Sequence, residues 1–140
     1  MLSVVVIWSF AAVALAHTGA TGIVKERMDF FSRSKDNLKL IKSYLQIGDL
    51  ALIVPLAEEI RDWAHQIPDY FPEGSGEPPS EASPEIWKDF TGFQKAAEAN
   101  FEAASQLAAA ARTTDGNKAL AAFKNTAKTC KNCHKQYRLD

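Results

Sequence analysis

A short segment near the C-terminus, residues 130–134, holds both cysteines of the chain and a histidine directly after the second one. The order Cys-x-x-Cys-His is the attachment pattern of a c-type haem. The thiols of Cys130 and Cys133 can each add to one vinyl group of the porphyrin, and the imidazole of His134 can then bind the iron as an axial ligand. The spacing therefore predicts one covalently bound haem c close to the C-terminus.

Other chemistries that use paired cysteines fit this chain less well. A thioredoxin-like Cys-x-x-Cys pair belongs near the start of a βαβ unit, and no part of the sequence has a strand pattern. A zinc site needs four thiolate or imidazole ligands. Outside residues 130–134 the chain offers only His17 and His65 for that purpose. Haem attachment is therefore the preferred interpretation.

Length and charge set limits on the kind of protein. With 140 residues, the chain is long enough for one domain with a moderate core. Its 16 Lys and Arg residues nearly balance its 17 Asp and Glu residues. The composition therefore gives no general attraction to nucleic acid or to an anionic membrane, and any charged docking surface must be local.

The first 16 residues have the character of a secretory signal. They carry no charged side chain, and they end in Ala14-Leu15-Ala16, a small-x-small cleavage pattern. The apolar run is shorter than the roughly 20 residues of a membrane-spanning helix, although an uncleaved N-terminal anchor is the alternative. In bacteria, haem c is attached after translocation. We therefore predict a signal peptide at 1–16, a haem domain at 17–140, and a periplasmic location with no membrane span after cleavage.

The rest of the sequence predicts an all-α fold. Apolar residues recur at helical spacing, with Pro and Gly at the breaks, and this predicts helices at 22–47, 54–66, 84–112 and 117–138. Residues 67–82 are predicted to form a polar connecting loop. Four amphipathic helices with mostly short connections favour an antiparallel up-down-up-down four-helix bundle. The last helix carries one continuous seam, which includes the attachment residues and faces the core: Leu120, Phe123, Ala127, Cys130, His134 and Tyr137.

Two further groups of apolar residues receive structural interpretations. Aromatic residues at helical spacing usually form core, and here they are expected to form core or the wall of a haem pocket: Trp87, Phe90, Phe93, Phe101 and Phe123. An apolar stretch near the start of the second helix is either core or the contact surface of a homodimer: Leu50, Leu52, Ile53, Val54 and Leu56.

Four segments together resemble a known family. They are Arg27 in the first helix, Phe71-Pro72-Glu73-Gly74-Ser75, Pro84-Glu85-Ile86-Trp87, and the C-terminal segment from Cys130 through Tyr137-Arg138. This set is similar to the class II cytochromes c, which comprise the cytochromes c′ and their low-spin relatives. The resemblance covers nearly all of the mature chain. It implies the up-down-up-down bundle, for which cytochrome c′ is itself a standard example, with haem c in the core.

The resemblance also implies roles for individual residues. His134 corresponds to the proximal iron ligand, and Cys130 and Cys133 correspond to the two thioether positions. Arg138 corresponds to a basic residue on the proximal side, although a cation at a helix C-terminus is favourable without any haem. Arg27 corresponds to the arginine that pairs with a haem propionate, and solvent exposure is the alternative.

The residue facing the iron on the distal side decides the coordination number. In the family this residue lies four positions after the helix-one arginine, which makes it Phe31 here. A phenyl ring has no lone pair for iron, so Phe31 implies a five-coordinate iron behind a steric gate. Met28 is the competing sixth ligand, with core packing as its other role. His65 is a second conceivable ligand, but it is expected to be a surface or boundary residue.

The function expected from these residues is that of a periplasmic haem protein. It would transfer single electrons, with periplasmic redox proteins as partners, or bind small gases such as nitric oxide and carbon monoxide. A six-coordinate electron carrier that uses Met28 is the alternative. A small haem peroxidase is a weaker one, because Phe31 and Met28 offer no acid–base group for peroxide cleavage. We therefore expect no enzymatic activity.

Overall fold

The computed structural model describes residues 19–139, so the predicted signal peptide lies outside the described residues. The regular structure of this part comprises α1 (Gly22–Ile47), α2 (Ile53–Gln66), a 3-10 turn (Ile67–Tyr70), α3 (Glu85–Lys88), α4 (Phe90–Arg112) and α5 (Gly116–Tyr137). The one extended pairing among these residues is an isolated antiparallel bridge between Ala82 and Arg138. The all-α prediction is confirmed.

The four long helices run antiparallel, as two clusters of buried side chains show. The first cluster joins the end of α1 and the start of α2 to the end of α4 and the start of α5, through Ile41, Ile53, Leu107 and Ala119. The second cluster joins the opposite ends of the same helices. Since α1 packs on α2 and α5, and α4 packs on α2 and α5, the topology is the predicted up-down-up-down bundle.

Two short connections have the residues that such turns need. Gly48 ends α1 with φ of 76°, a left-handed conformation that glycine adopts without steric cost. Asp115 begins α5, because its carboxylate accepts hydrogen bonds from the backbone N–H groups of Asn117 and Lys118. These turns keep neighbouring helices antiparallel.

The prediction of one helix over 84–112 is wrong at a single point. The helix is interrupted at Asp89, which has φ of −130° and ψ of 60°, and the chain forms α3 and α4 instead. The Asp89 carboxylate accepts a hydrogen bond from Gly92 N at 3.0 Å and thereby caps α4. The Trp87 indole N–H donates to the carbonyl oxygen of Phe71, which holds α3 against the preceding loop. Because these contacts are not periodic, the apolar spacing does not reveal them.

The segment 67–82 is also more structured than predicted. Ile67, Phe71 and Ala82 are buried in the second cluster, so the ends of this loop belong to the core. In the apolar stretch after α1, Leu50 and Ile53 are core residues, whereas Leu52 is exposed. The core interpretation therefore holds for most of that stretch. Among the helices described, none combines the length and hydrophobicity that spanning a bilayer requires.

Candidate haem site

The attachment residues lie in the last two turns of α5. Cys130 and Cys133 are half-buried, and Cys133 packs against the second cluster. His134 follows Cys130 by four residues and therefore lies on the same face of the helix. His134 keeps more of its surface exposed than the two cysteines do. The predicted seam is only partly core, because its member Leu120 is exposed. The buried positions of α5 are Ala119, Thr126 and Tyr137, and only Tyr137 belongs to the seam.

The surroundings of these three side chains favour their neutral forms. Burial raises the pKa of the Cys133 thiol to about 11, and the neighbouring Cys130 adds to the effect. Burial also raises the pKa of Cys130, although a hydrogen bond from Asn100 opposes it. Desolvation of the imidazole, followed by the charge of Arg138, lowers the pKa of His134. A neutral imidazole has a free lone pair, which is the form that binds iron.

An aromatic wall lies opposite His134. The ring of Phe31 on α1 is 6.1 Å from the imidazole of His134, centroid to centroid, and the two planes are inclined by 68°. Phe31 in turn makes edge contacts with Trp63 at 5.1 Å and with Phe71 at 6.3 Å. The structure thus brings Phe31 and His134 to the same site, where an apolar surface faces the imidazole that is predicted to bind iron.

Arg27 is buried at the edge of this wall. Its side chain is 2% exposed, so the alternative of solvent exposure is wrong. The guanidinium lies over the Phe71 ring at 4.2 Å. It donates to neutral oxygens at 2.5–3.0 Å, namely Tyr70 O, Ser75 O and the hydroxyls of Ser75 and Ser80. None of its hydrogen bonds within residues 19–139 goes to a carboxylate, and burial lowers its pKa.

Arg138 is the C-cap residue that follows α5. It forms an ion pair with Glu81, with Nε to Oε2 at 2.8 Å. The backbone reinforces this contact, since Leu139 N donates to Glu81 O and Ser83 N donates to Tyr137 O. Burial is the main cause of the lowered pKa of His134; the charge of Arg138 lowers this pKa further, and the charge of Glu81 opposes the effect.

The two competing ligands occupy different surroundings. Met28 is half-buried on α1, three residues before Phe31, so its assignment as a sixth ligand stays a prediction. His65 is exposed on α2, and its ring lies 5.6 Å from that of Phe101. The aromatic residues expected in the core do pack there, since Phe93 is buried in the second cluster and Trp87, Phe90 and Phe101 border it. Phe123 borders the first cluster.

Two buried polar groups at the site were not predicted from the sequence. Asn100 on α4 donates through Nδ2 to Thr129 Oγ1 at 2.9 Å and to Cys130 Sγ at 3.3 Å. The indole N–H of Trp63 is buried and has no hydrogen-bond partner among the described residues. A signal for Asn100 did exist, because it is a polar residue on the otherwise apolar stripe of α4. The Trp63 indole gives no such signal.

Comparison with known proteins places these features in a family. The family model for cytochrome c′ matches residues 22–138. The chain belongs to the cytochrome c′ family. It is 35% identical over 121 residues to cytochrome c′ of Rhodospirillum rubrum, an alignment that covers 84% of this chain and 82% of that protein.

Solved structures of cytochromes c′ have the same fold. Cytochrome c prime from Shewanella frigidimarina is 29% identical, with a TM-score of 0.77 over 84% of this chain and 94% of that one. The nitric oxide complex of a mutant of cytochrome c prime from Alcaligenes xylosoxidans is 26% identical, with a TM-score of 0.76 over the same shares. The four-helix bundle is therefore the family fold, and the family cofactor is a single covalent haem c.

The residues present fit that cofactor. A haem brings carboxylate propionates, an apolar macrocycle and two vinyl groups. Arg27 is a buried cation that lacks an anionic partner among the described residues, and the N–H of Trp63 is a buried donor without an acceptor. Burial of a charge or of a hydrogen-bond donor costs free energy unless a partner is present. The paired thiols, the neutral imidazole and the aromatic wall supply the remaining contacts.

Proposed function

We propose that this cytochrome c′ is an exported haem protein that binds small gases and exchanges single electrons. Cys130 and Cys133 would hold the haem through thioethers, and His134 would bind its iron. When bound, haem c supplies an iron that takes up one electron and accepts a diatomic ligand. The observation that carries the proposal is the position of Phe31, whose ring lies 6.1 Å from the imidazole of His134.

Phe31 has the properties of a steric gate. It offers no lone pair for a metal, and its contacts with Trp63 and Phe71 restrict its movement. The Phe31 ring would therefore admit small neutral molecules to an iron held by His134 and would exclude larger ones. Variants of the Alcaligenes xylosoxidans relative form complexes with nitric oxide and with carbon monoxide, which supports both gases as ligands and carbon monoxide as a probe. Arg138, held by Glu81, lies on the side of His134 and lowers the basicity of the imidazole.

Electron exchange is supported by the charge distribution of α5. The helix carries five lysines and no acidic residue, although the chain as a whole has a net charge of −1. Lys124, Lys128, Lys131 and Lys135 are exposed and follow one another at steps of four, three and four residues, which brings them to one face. This face adjoins the attachment segment. We propose that redox partners approach it with an acidic surface.

The salt dependence of the electron-transfer rate tests whether partners approach the lysine face of α5. The oxidation of the reduced protein by ferricyanide, an anionic probe, is expected to slow with added salt and in a variant with Lys128→Gln and Lys131→Gln. Lys35→Gln and Lys42→Gln on α1 provide a matched control, since these lysines are also exposed. Equal rates in both double variants would contradict the proposal.

Location and the lack of an enzymatic role belong to the same proposal. Covalent attachment of haem c follows export, so we place the protein in the periplasm, with residues 1–16 as the signal and 17–140 as the haem domain. The rings in contact with Phe31 are those of Trp63, Phe71 and His134. Trp63 and Phe71 do not move the protons that a peroxidase must move, and in this proposal His134 is occupied by the iron, so we propose no enzymatic activity.

Absorption spectroscopy of the matured protein tests the open distal side. The ferric form is expected to be high-spin, and the reduced form to bind carbon monoxide. Phe31→Ala is expected to speed this binding, because it removes the gate, whereas Met28→Leu leaves the spectrum unchanged. A low-spin ferric spectrum with a methionine-to-iron band that disappears in Met28→Leu would overturn the five-coordinate proposal and establish the electron-carrier alternative.

A homodimer is the remaining part of the proposal. On α1, Leu40 and Ile47 lie seven residues apart on one face and are exposed, Ile47 by 73%, and Leu52, just before α2, is also exposed. A second copy of the chain would cover this surface. Size-exclusion chromatography with light scattering should report a dimer for the native chain and a monomer for Ile47→Asp. A native monomer would contradict the proposal.

A further inference from the structure

Asn100 connects α4 to the cysteine that begins the attachment segment. Its side chain is buried, with 7% exposure, in the middle of a helix whose other buried residues are almost all apolar. Both amide protons of Nδ2 have partners on α5, Thr129 Oγ1 at 2.9 Å and Cys130 Sγ at 3.3 Å. A buried amide is costly unless its hydrogen bonds are made. The position of the Asn100 amide therefore depends on the position of the Cys130 sulfur, and the position of the sulfur depends on the amide.

The hydrogen-bond network continues along α5. The hydroxyl of Thr129 donates to the carbonyl oxygen of Thr126 at 2.7 Å, so its oxygen is fixed where it accepts from Asn100. The hydroxyl of Thr126 donates to Ala122 O at 3.0 Å. Asn100 is thus anchored through Thr129, and its second proton is directed at the Cys130 sulfur.

The second cysteine is held in a different way. Cys133 packs against the aromatic cluster, and no described residue donates a hydrogen bond to its sulfur. Two thiols three residues apart on one helix therefore differ in a specific respect. A polar donor from another helix orients Cys130, whereas apolar packing holds Cys133.

We propose that Asn100 is a positioning residue for the attachment of haem through Cys130. The inference rests on the proposed function, in which both cysteines form thioethers. In that step the S–H of Cys130 adds across one vinyl group. Sulfur bonds to the inner carbon and hydrogen to the outer carbon, so nothing is oxidised or reduced. The amide of Asn100 restricts the rotation of the sulfur and thereby favours the orientation in which the addition occurs.

Single-cysteine variants separate this role from a structural one. In a Cys133→Ala background, haem attaches only through Cys130, and in a Cys130→Ala background only through Cys133. Ferrous haem is added to each reduced protein, and mass spectrometry follows the gain in mass with time. We expect Asn100→Leu to slow attachment in the first background by about fivefold, the factor that one neutral hydrogen bond of about 1 kcal/mol provides, and to leave the second background unchanged.

Controls make each outcome decisive. Asn100→Ala repeats the test in case Asn100→Leu does not fold, since α4 is already rich in alanine. Glu102→Ala, on the exposed face of the same helix, should have no effect in either background. Equal slowing in both backgrounds, or in neither, would overturn the inference. If the native chain gains no haem mass at all, the proposed attachment itself fails, and this outcome is distinct from the others.

Discussion

The burial of Arg27 is explained by the haem propionate that this residue is expected to bind. A guanidinium that is 2% exposed loses its hydration, and the neutral oxygens around it replace only part of that interaction. The Phe71 ring below it adds a cation–π contact. A propionate would provide the missing charge. The stabilisation by Arg27 should therefore depend on whether haem is bound.

Comparison of two states tests this dependence. Arg27→Gln is expected to lower the free energy of unfolding of the haem-loaded protein by about 2 kcal/mol more than that of the haem-free protein, the value of a hydrogen bond to a charged group. Urea unfolding of both forms measures the difference. Lys42→Gln, on the same helix and exposed, should change neither form. Equal losses in both forms would mean that Arg27 stabilises only the loop to which it donates hydrogen bonds.

Residues at this site differ in how far the sequence reveals them. Cys130, Cys133 and His134 form a local pattern whose chemistry follows from their spacing. Arg27 and Phe31 are recognisable only through the family resemblance, because their significance depends on contacts with other segments. Asn100 and the Trp63 indole were not predicted. Their importance arises from atoms on a neighbouring helix, or from the lack of a partner among the described residues, and neither is encoded in local spacing.

At the scale of the helix, periodicity predicted four long segments but not the break at Asp89. Apolar residues on both sides of the break, Trp87 and Phe90, keep the helical spacing, so the pattern continues through it. The break is instead set by side-chain hydrogen bonds. The Asp89 carboxylate accepts from Gly92 N, and its second oxygen lies 3.3 Å from the Tyr137 hydroxyl, which donates to it. Asp89 thus caps α4 and contacts the end of α5.

Removal of this cap is expected to be measurable. Asp89→Ala should cost about 1 kcal/mol, the usual loss for an N-cap, because Gly92 N loses its acceptor. Asp89→Asn keeps a side-chain oxygen and should cost less. Thermal unfolding of both variants, with Glu98→Ala on the exposed face of α4 as a control, checks the expectation. A loss as large for Glu98→Ala as for Asp89→Ala would contradict it.

Asp115 should make the stability of the bundle depend on pH. Hydrogen bonding from the Lys118 N–H lowers the pKa of this carboxylate in the folded chain. A lowered pKa means that the unfolded state binds the proton more readily, so the stabilisation is present at neutral pH and is lost as the pH falls below about 4. Asp115→Asn should therefore be less stable than the native chain at pH 7, and the difference should disappear in acid. Urea unfolding across this range measures it, and a difference that is independent of pH would contradict it.

Across the whole molecule, the two clusters of buried side chains differ in composition and in position. The first is aliphatic and alanine-rich and lies at the end of the bundle where α1 and α2 connect. The second is rich in aromatic residues and includes Trp63. Phe31 and Cys133 pack against it. Alanines such as Ala104 and Ala108 let the helices approach closely at the first cluster. The bundle is therefore held at one end by close packing, and its other end carries the haem site.

This division predicts that stability and spectrum can be changed separately. Leu107→Ala, at a fully buried position of the first cluster, should lower the free energy of unfolding by about 2–5 kcal/mol and leave the haem spectrum unchanged. Phe93→Leu, in the second cluster, should alter the spectrum and the rate of carbon monoxide binding, because Phe93 supports Phe71 at 4.9 Å and Tyr137 at 5.3 Å. Denaturation and absorption spectra of both variants test this. If Leu107→Ala shifted the spectrum as much as Phe93→Leu, the two ends would be mechanically coupled, and the aromatic end could not be treated as an independent haem pocket.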